Sequence, residues 1–189
     1  MWDIDKIKTY LKENLKENRY EHTLGVVETA KELAKINGED IKKAEIAALA
    51  HDVAKNMTID SMRKIIEDNN IELPYETLKT PELWHSIIAP IIGEEVFGIK
   101  DKDILNAMRW HTTGRENMTT LDKIIYMADM IEPRRNFPEV DKIRKITFED
   151  LDSGFLMALN HTIKYLLSKG FYVDINTIKA RNFIILNKK

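Results

Sequence analysis

The sequence predicts a single all-α domain. Apolar residues recur at three- and four-residue steps along nearly the whole chain, the spacing that lines one face of a helix. Helix caps and stops punctuate that pattern, and no internal repeat, low-complexity stretch or linker divides it. With 189 residues, 43% of them hydrophobic and 32% charged, the chain can bury one core of ordinary size.

The elements follow in order. Ile4, Ile7, Leu11 and Leu15 give a first amphipathic helix with Lys and Glu on its outer face. Arg19 to Ile36 gives a second, with His22, Val26, Ala30 and Leu33 in register and Asn37-Gly38 as its stop. Asp40 is an N-cap candidate for a helix that runs to Asn56 and carries His51-Asp52. Thr58 caps another, from Ile59 to Asn69. The stretch from Asn70 to Thr80 reads as a loop, and Pro81 opens a helix through Val96 that carries Trp84-His85. Pro90 lies inside that pattern and is expected to kink or reset it. After a turn at Phe97-Gly98-Ile99 come a helix from Asp101 to His111, a loop at Thr112-Thr113-Gly114-Arg115, and a helix from Leu121 to Ile131 carrying Asp129. Glu132 to Pro138 is an irregular connection. Two last helices, about Phe148 to Lys169 and Ile175 to Leu186, close the chain. The expected division is one domain over 1–189, with its functional core at about 19–131 and the C-terminal helices at about 148–186.

Composition excludes several function classes. Cysteine is absent, which removes disulfides, thiolate zinc sites and cysteine nucleophiles. No apolar run reaches the length of a membrane span, and the first residues lack a signal-peptide core, so a cytoplasmic location is the default expectation. The formal charge is −2 with both signs interspersed, and no basic block points to nucleic acid. An anionic substrate would have to be neutralised locally.

The chemistry concentrates at His51-Asp52, inside the apolar run Ala44 to Lys55. An imidazole beside a carboxylate in such a setting is costly unless something binds both, and a metal ion would. His22, His85 and His111 lie on comparably apolar helical stretches, as does Asp129. Any one histidine on an apolar face is by default a hydrogen-bonded core residue. Four of the five histidines together with two aspartates make that default poor for the set, and His161, which has no partner motif, keeps it. Asp129 also has a salt-bridge reading, with Arg134 or Arg135 as partner.

Six nitrogen and oxygen donors exceed the four of a closed structural zinc site and suit two ions at a catalytic centre. Without sulfur, iron or manganese fits best, while magnesium and calcium prefer oxygen alone. Asp52 has two oxygens with which to bridge. Lys55 reads either as an ordinary salt bridge or as a cation for phosphate. Thr112, Thr113, Gly114 and Arg115 read either as a capped turn or as an anion contact. Arg134 is a second candidate for gripping phosphate.

These residues resemble the HD-domain metal phosphohydrolases, with their H…HD…D pattern. The segments Arg19-Tyr20-Glu21-His22-Thr23, His51-Asp52-Val53-Ala54-Lys55, Trp84-His85, His111-Thr112-Thr113-Gly114-Arg115 and Ala128-Asp129-Met130-Ile131-Glu132-Pro133 with Arg134 are similar to the YqeK group of that superfamily, over about residues 5 to 185. The resemblance implies a hydrolase that cleaves diadenosine tetraphosphate symmetrically to two ADP, with two divalent metal ions, typically iron. It implies that His22, His51, Asp52 and Asp129 hold one ion, and that Asp52 bridges to another completed by His85 and His111. It places Lys55, Thr113, Gly114 and Arg134 at the nucleotide phosphates, so that Asp52, Lys55 and Arg134 would carry the catalysis. One departure is Ala89-Pro90, where the family tends to show Gly-Ala. The competing expectations are another HD nucleotide phosphohydrolase or phosphodiesterase, acting on nucleoside monophosphates or dNTPs, and a non-catalytic metal-stabilised nucleotide-binding module. A homodimer is compatible with the chain; neither a nucleic-acid nor a membrane partner is expected.

Overall fold

Local sequence starts and stops the helices much as the apolar spacing requires. The computed structural model describes residues 1–187 and has eleven α-helices and no strand among them. Helix α1 (Ile4–Asn14) buries Ile7 and Leu11, and the Asp3 carboxylate caps it by accepting from the Lys6 N–H at 2.7 Å. Helix α2 (Glu17–Asn37) turns His22, Val26, Ala30 and Leu33 inward and ends at Gly38 in the left-handed conformation. Asp40 caps α3 (Ile41–Ala50) through the N–H groups of Lys42 and Lys43. Residues Ile46 to Ala50 are all buried, as expected for the C-terminal half of a helix that is apolar on every side there. Its alanines let α2, α7 and α8 close on it.

Beyond α3 come α4 (Ile59–Asp68), capped by Thr58, and a short α5 (Tyr75–Leu78). A tight turn at Pro81–Leu83 leads into α6 (Trp84–Glu95), and α7 (Lys102–Trp110) follows with Asp101 as its cap. Helix α8 (Thr120–Ile131) begins with a reciprocal cap between Thr119 and Asp122 and forms the central rod, with Ile124, Ile125, Met127 and Ala128 fully buried. Helices α9 (Val140–Glu149), α10 (Leu151–Ser168) and α11 (Ile175–Asn187) finish the chain, and α10 packs on α8, α9 and α11. No helix among the described residues is long and apolar enough to cross a membrane.

Four expectations need correction. The helix expected from Asp40 to Asn56 stops at Ala50. His51 to Asn56 instead make successive tight turns, with Val53 N–H bonding Ala50 O and Lys55 N–H bonding Asp52 O at 2.9 Å. Val53 and Ala54 stay buried in those turns, which is why the apolar pattern runs on past the helix end. The 70–80 stretch contains α5. Helix α9 was not expected, because only Val140, Ile143 and Thr147 of its ten residues are buried; α10 consequently starts at Leu151, after Asp150, rather than at Phe148. Pro90 does not interrupt α6, which is continuous from Trp84 to Glu95.

Candidate metal centre

Four imidazoles and two carboxylates converge where α2, α3, α6, α7 and α8 meet. Three of the imidazoles are aimed by the same local device. His51 and His111 directly follow the last residues of α3 and α7, where carbonyls lack helical partners. The His51 Nδ1–H donates to Ala48 O at 2.6 Å, and the His111 Nδ1–H to Met108 O at 2.7 Å. His85, at the start of α6, donates likewise to Glu82 O at 2.7 Å. With Nδ1 committed as donor, each Nε2 presents a lone pair inward, the tautomer that a metal ligand needs.

Their mutual geometry surrounds Asp52. Its Oδ1 lies 3.4 Å from His85 Nε2 and 3.6 Å from His111 Nε2, while its Oδ2 lies 3.6 Å from His51 Nε2. The two oxygens therefore face different imidazoles, the disposition a bridging carboxylate requires. On the far side, His22 Nε2 is 2.8 Å from Asp129 Oδ1, and His51 Nε2 is 4.0 Å from the same oxygen. Donor atoms of His22, His51 and Asp129 lie within 4.8 Å of one another, as do those of His51, Asp52 and His111. His51 Nε2 and Asp52 Oδ1 are buried and hydrogen-bonded to nothing, which costs about 1–3 kcal/mol per group. Donors of this type and spacing fit divalent ions.

Electrostatics keep the donors in the form that binds metal. Burial pushes the His51 imidazole down to about 4 against the pull of Asp52, and His85 down to about 3 for the same reasons. Burial alone would raise the Asp52 carboxyl, but His51, His111 and His85 hold it well below the usual carboxylate range. Asp129 is lowered too, with burial opposed by the His22 hydrogen bond and by Arg135. Near neutral pH His51 and His85 are thus neutral imidazoles, and Asp52 and Asp129 are ionised.

Other expected residues are placed less uniformly. Lys55 points its Nζ at His85 Nε2, 3.1 Å away, rather than at a carboxylate. Thr112 reaches the same nitrogen with its hydroxyl at 3.3 Å. Thr113 is buried, its hydroxyl donating to Gly114 O at 3.0 Å, and Gly114 packs beside Ala180, Met118 and Phe155. Arg115 turns away from the centre: its Nη2 donates to the buried Asp122 at 2.9 Å, at the opposite end of α8 from Asp129. In this arrangement a buried carboxylate, not the centre, holds the guanidinium that the sequence offered for an anion contact. Arg134 lies on the rim, paired with Glu21 at 2.7 Å. Arg135, not Arg134, makes the salt bridge to Asp129, with Nη2 to Oδ1 at 2.6 Å. His161 stays out of the centre, tilted against Phe137 and 3.4 Å from Glu139. A cavity of 680 Å³ around Tyr10, Asn56, Met57 and Glu95 includes none of the six donors in its wall.

Two supporting residues had no role in the sequence reading. Arg19 donates to Asp52 Oδ2 at 2.9 Å and fixes that carboxylate; its spacing of three residues from His22 on α2 was the available signal. Glu132 is buried, with Oε1 accepting from His22 Nδ1 at 3.0 Å and Oε2 from the Arg134 N–H at 2.8 Å. Gly25 makes room for it, because a Cβ there would sit 2.5 Å from Glu132 Oε2. Gly25→Ala is expected to displace Glu132 and to cost about 1–3 kcal/mol of stability. Losing its outer-shell partner, His22 should bind metal roughly 10–100-fold more weakly. Metal titration of the folded variant checks this; unchanged affinity would remove Glu132 from the account.

Comparisons with known proteins show the family. The HD domain family model matches residues 19–134, the span containing all six donors. The symmetrical bis(5'-nucleosyl)-tetraphosphatase of Bacillus subtilis is 42% identical, with 93% of this chain and 94% of that protein aligned. Its counterpart of the same name in Halalkalibacterium halodurans is 41% identical, with 95% of each aligned. The crystal structure of a predicted HD superfamily hydrolase involved in NAD metabolism, from Clostridium acetobutylicum, superposes over 100% of both chains with a TM-score of 0.96 and 47% identity. By fold, by family match and by relatives aligned along nearly its full length, this chain belongs to the HD domain family.

Proposed function

We propose that the protein is a divalent-metal-dependent hydrolase that cleaves diadenosine tetraphosphate symmetrically into two ADP. The observation that carries the reading is the convergence of four inward Nε2 atoms on the two oxygens of Asp52 and on Asp129. Relatives aligned over nearly the whole chain are named for that reaction. The reading treats 1–189 as one domain with its metal-binding core at about 19–131.

His22, His51, Asp52 and Asp129 would hold one ion, and Asp52, His85 and His111 the other; imidazole and carboxylate without sulfur favour iron, with manganese next. Two ions held there supply an activated water and neutralise charge on the phosphoryl oxygens. The protein's own groups do the rest. Lys55, beside His85, presents an ammonium to a phosphoryl group at the centre, and the Thr112 hydroxyl offers a hydrogen bond from the same side. Arg134, on the rim, meets phosphates farther along the chain. Arg19 and Glu132 hold Asp52 and His22 in place. Attack at a β-type phosphorus expels ADP, a stable anion, so no strong general acid is needed. Charge stabilisation is the main demand on the site.

Lys55→Ala is expected to leave the metal content unchanged and to lower kcat by roughly 10²-fold, the loss typical of removing one preorganised donor. Full activity in that variant would assign Lys55 to packing against His85. A substrate panel tests the function itself. Diadenosine tetraphosphate should be hydrolysed faster than AMP, dAMP or dNTPs, and a monophosphate as best substrate would move the protein to another HD activity.

A further inference from the structure

The substrate of the proposed reaction has two adenosines, and the centre accounts only for its phosphates. Two cavities flank that centre and share the side chains of Thr112 and Thr162. One, of 590 Å³, includes the donors His111 and Asp129 in its wall and continues past Arg134 to Phe137, His161 and Tyr165. The other, of 440 Å³, begins at Glu82, whose carbonyl orients His85, and continues to Leu166, Phe171, Tyr172 and Asp174. Each cavity thus adjoins one side of the donor cluster, and helix α10 runs between them. Tyr165 faces the first cavity and its neighbour Leu166 the second, as adjacent residues on a helix must.

We propose that these cavities are the two nucleoside subsites of a dinucleoside polyphosphate, one for each half, filled together. The inference rests on the reading above and adds which residues recognise the nucleosides. Aromatic rings stand at the outer part of both cavities. Phe137 and His161 pack at a tilt of 38°, 4.8 Å between centroids, in the first, where Tyr165 is 51% exposed. In the second, Phe171 is 58% exposed and Tyr172 is 41% exposed. Exposed aromatic side chains such as Tyr165, Phe171 and Tyr172 can serve as stacking platforms for a purine.

Polar groups make the halves unequal. The first cavity carries Arg134 and Arg135 and suits an ADP moiety with its phosphates. The second carries the carboxylate of Asp174, which is 9% exposed; its Oδ1 accepts from the backbone and side-chain amides of Asn176 at 2.8 and 2.9 Å, and a ribose hydroxyl or the adenine amino group would donate to the other oxygen. The two identical halves of the substrate therefore meet different residues. An adenosine tetraphosphate with a single nucleoside would fill only one cavity, so the second cavity selects for dinucleotides.

Equilibrium dialysis of the metal-loaded protein against ADP tests this independently of turnover. Wild-type protein should bind two ADP per chain. The double variant F171A/Y172A should bind one, with helix content and metal stoichiometry unchanged, because both rings project from the connection between α10 and α11. In kinetics the same variant should raise KM for diadenosine tetraphosphate about tenfold or more and leave KM for adenosine tetraphosphate unchanged. One ADP per chain in the wild type, or two in the variant with KM unmoved, would overturn the proposal. Two ADP bound without cleavage of diadenosine tetraphosphate would keep the subsites and reject the reaction.

Discussion

Replacing Asp52 by alanine should reduce the metal content from two ions per chain to none and lower turnover by at least about 10³-fold. That exceeds the roughly 10–100-fold loss typical of an outer-shell partner, because Asp52 contributes both of its oxygens to the cluster. One faces His85 and His111, and the other faces His51 while accepting from Arg19. Truncation also leaves Arg19 without its carboxylate; because that guanidinium is only partly buried, the loss falls below the about 3–5 kcal/mol of a fully buried pair. Asp52→Asn is the control, since it preserves shape and a hydrogen-bond acceptor for Arg19 while removing the charge. Elemental analysis of both folded variants decides the matter. Two ions retained in either one would show that the histidines and Asp129 suffice and that Asp52 is no bridge.

Stripping the metal should lower the melting temperature by about 10 °C and abolish hydrolysis, both reversibly. A ligand present at a thousand times its dissociation constant stabilises a fold by about 4.1 kcal/mol, and each kcal/mol shifts Tm by roughly 2–4 °C in a chain of this size. The stripped protein should nevertheless stay helical. The core of α3 and α8 is apolar, and burial keeps His51 and His85 neutral near neutral pH, so these two imidazoles do not repel each other once the metal is gone. Calorimetry before and after chelation, then after adding back iron or manganese, reads the effect. An unchanged Tm would mean that the ions do not bind within the fold.

The six side chains that the structure brings together were legible because each stands out chemically from apolar neighbours, and caps such as Asp40 and Thr58 were legible from local hydrogen-bonding preference. The end of α3 was not. Val53 and Ala54 continue its apolar pattern although the backbone has changed to tight turns, and periodicity reports burial rather than backbone bonding. Those turns, not a helix face, bring Lys55 to His85. Arg115 resembled a phosphate ligand beside His111 because nothing local reveals that Asp122, a first-turn acid of α8, is buried and takes its guanidinium. The contact of Gly25 with Glu132 joins residues far apart in the chain. So do the cavities on either side of α10, which depend on how helices pack rather than on any short motif.

The most direct test of the account is hydrolysis of diadenosine tetraphosphate by metal-loaded enzyme in ¹⁸O-water, with products resolved by mass spectrometry. The account predicts ADP as the sole product, half of it carrying one heavy oxygen on the β-phosphate. ATP and AMP, or no product from protein that holds its two ions, would contradict symmetric cleavage at this centre.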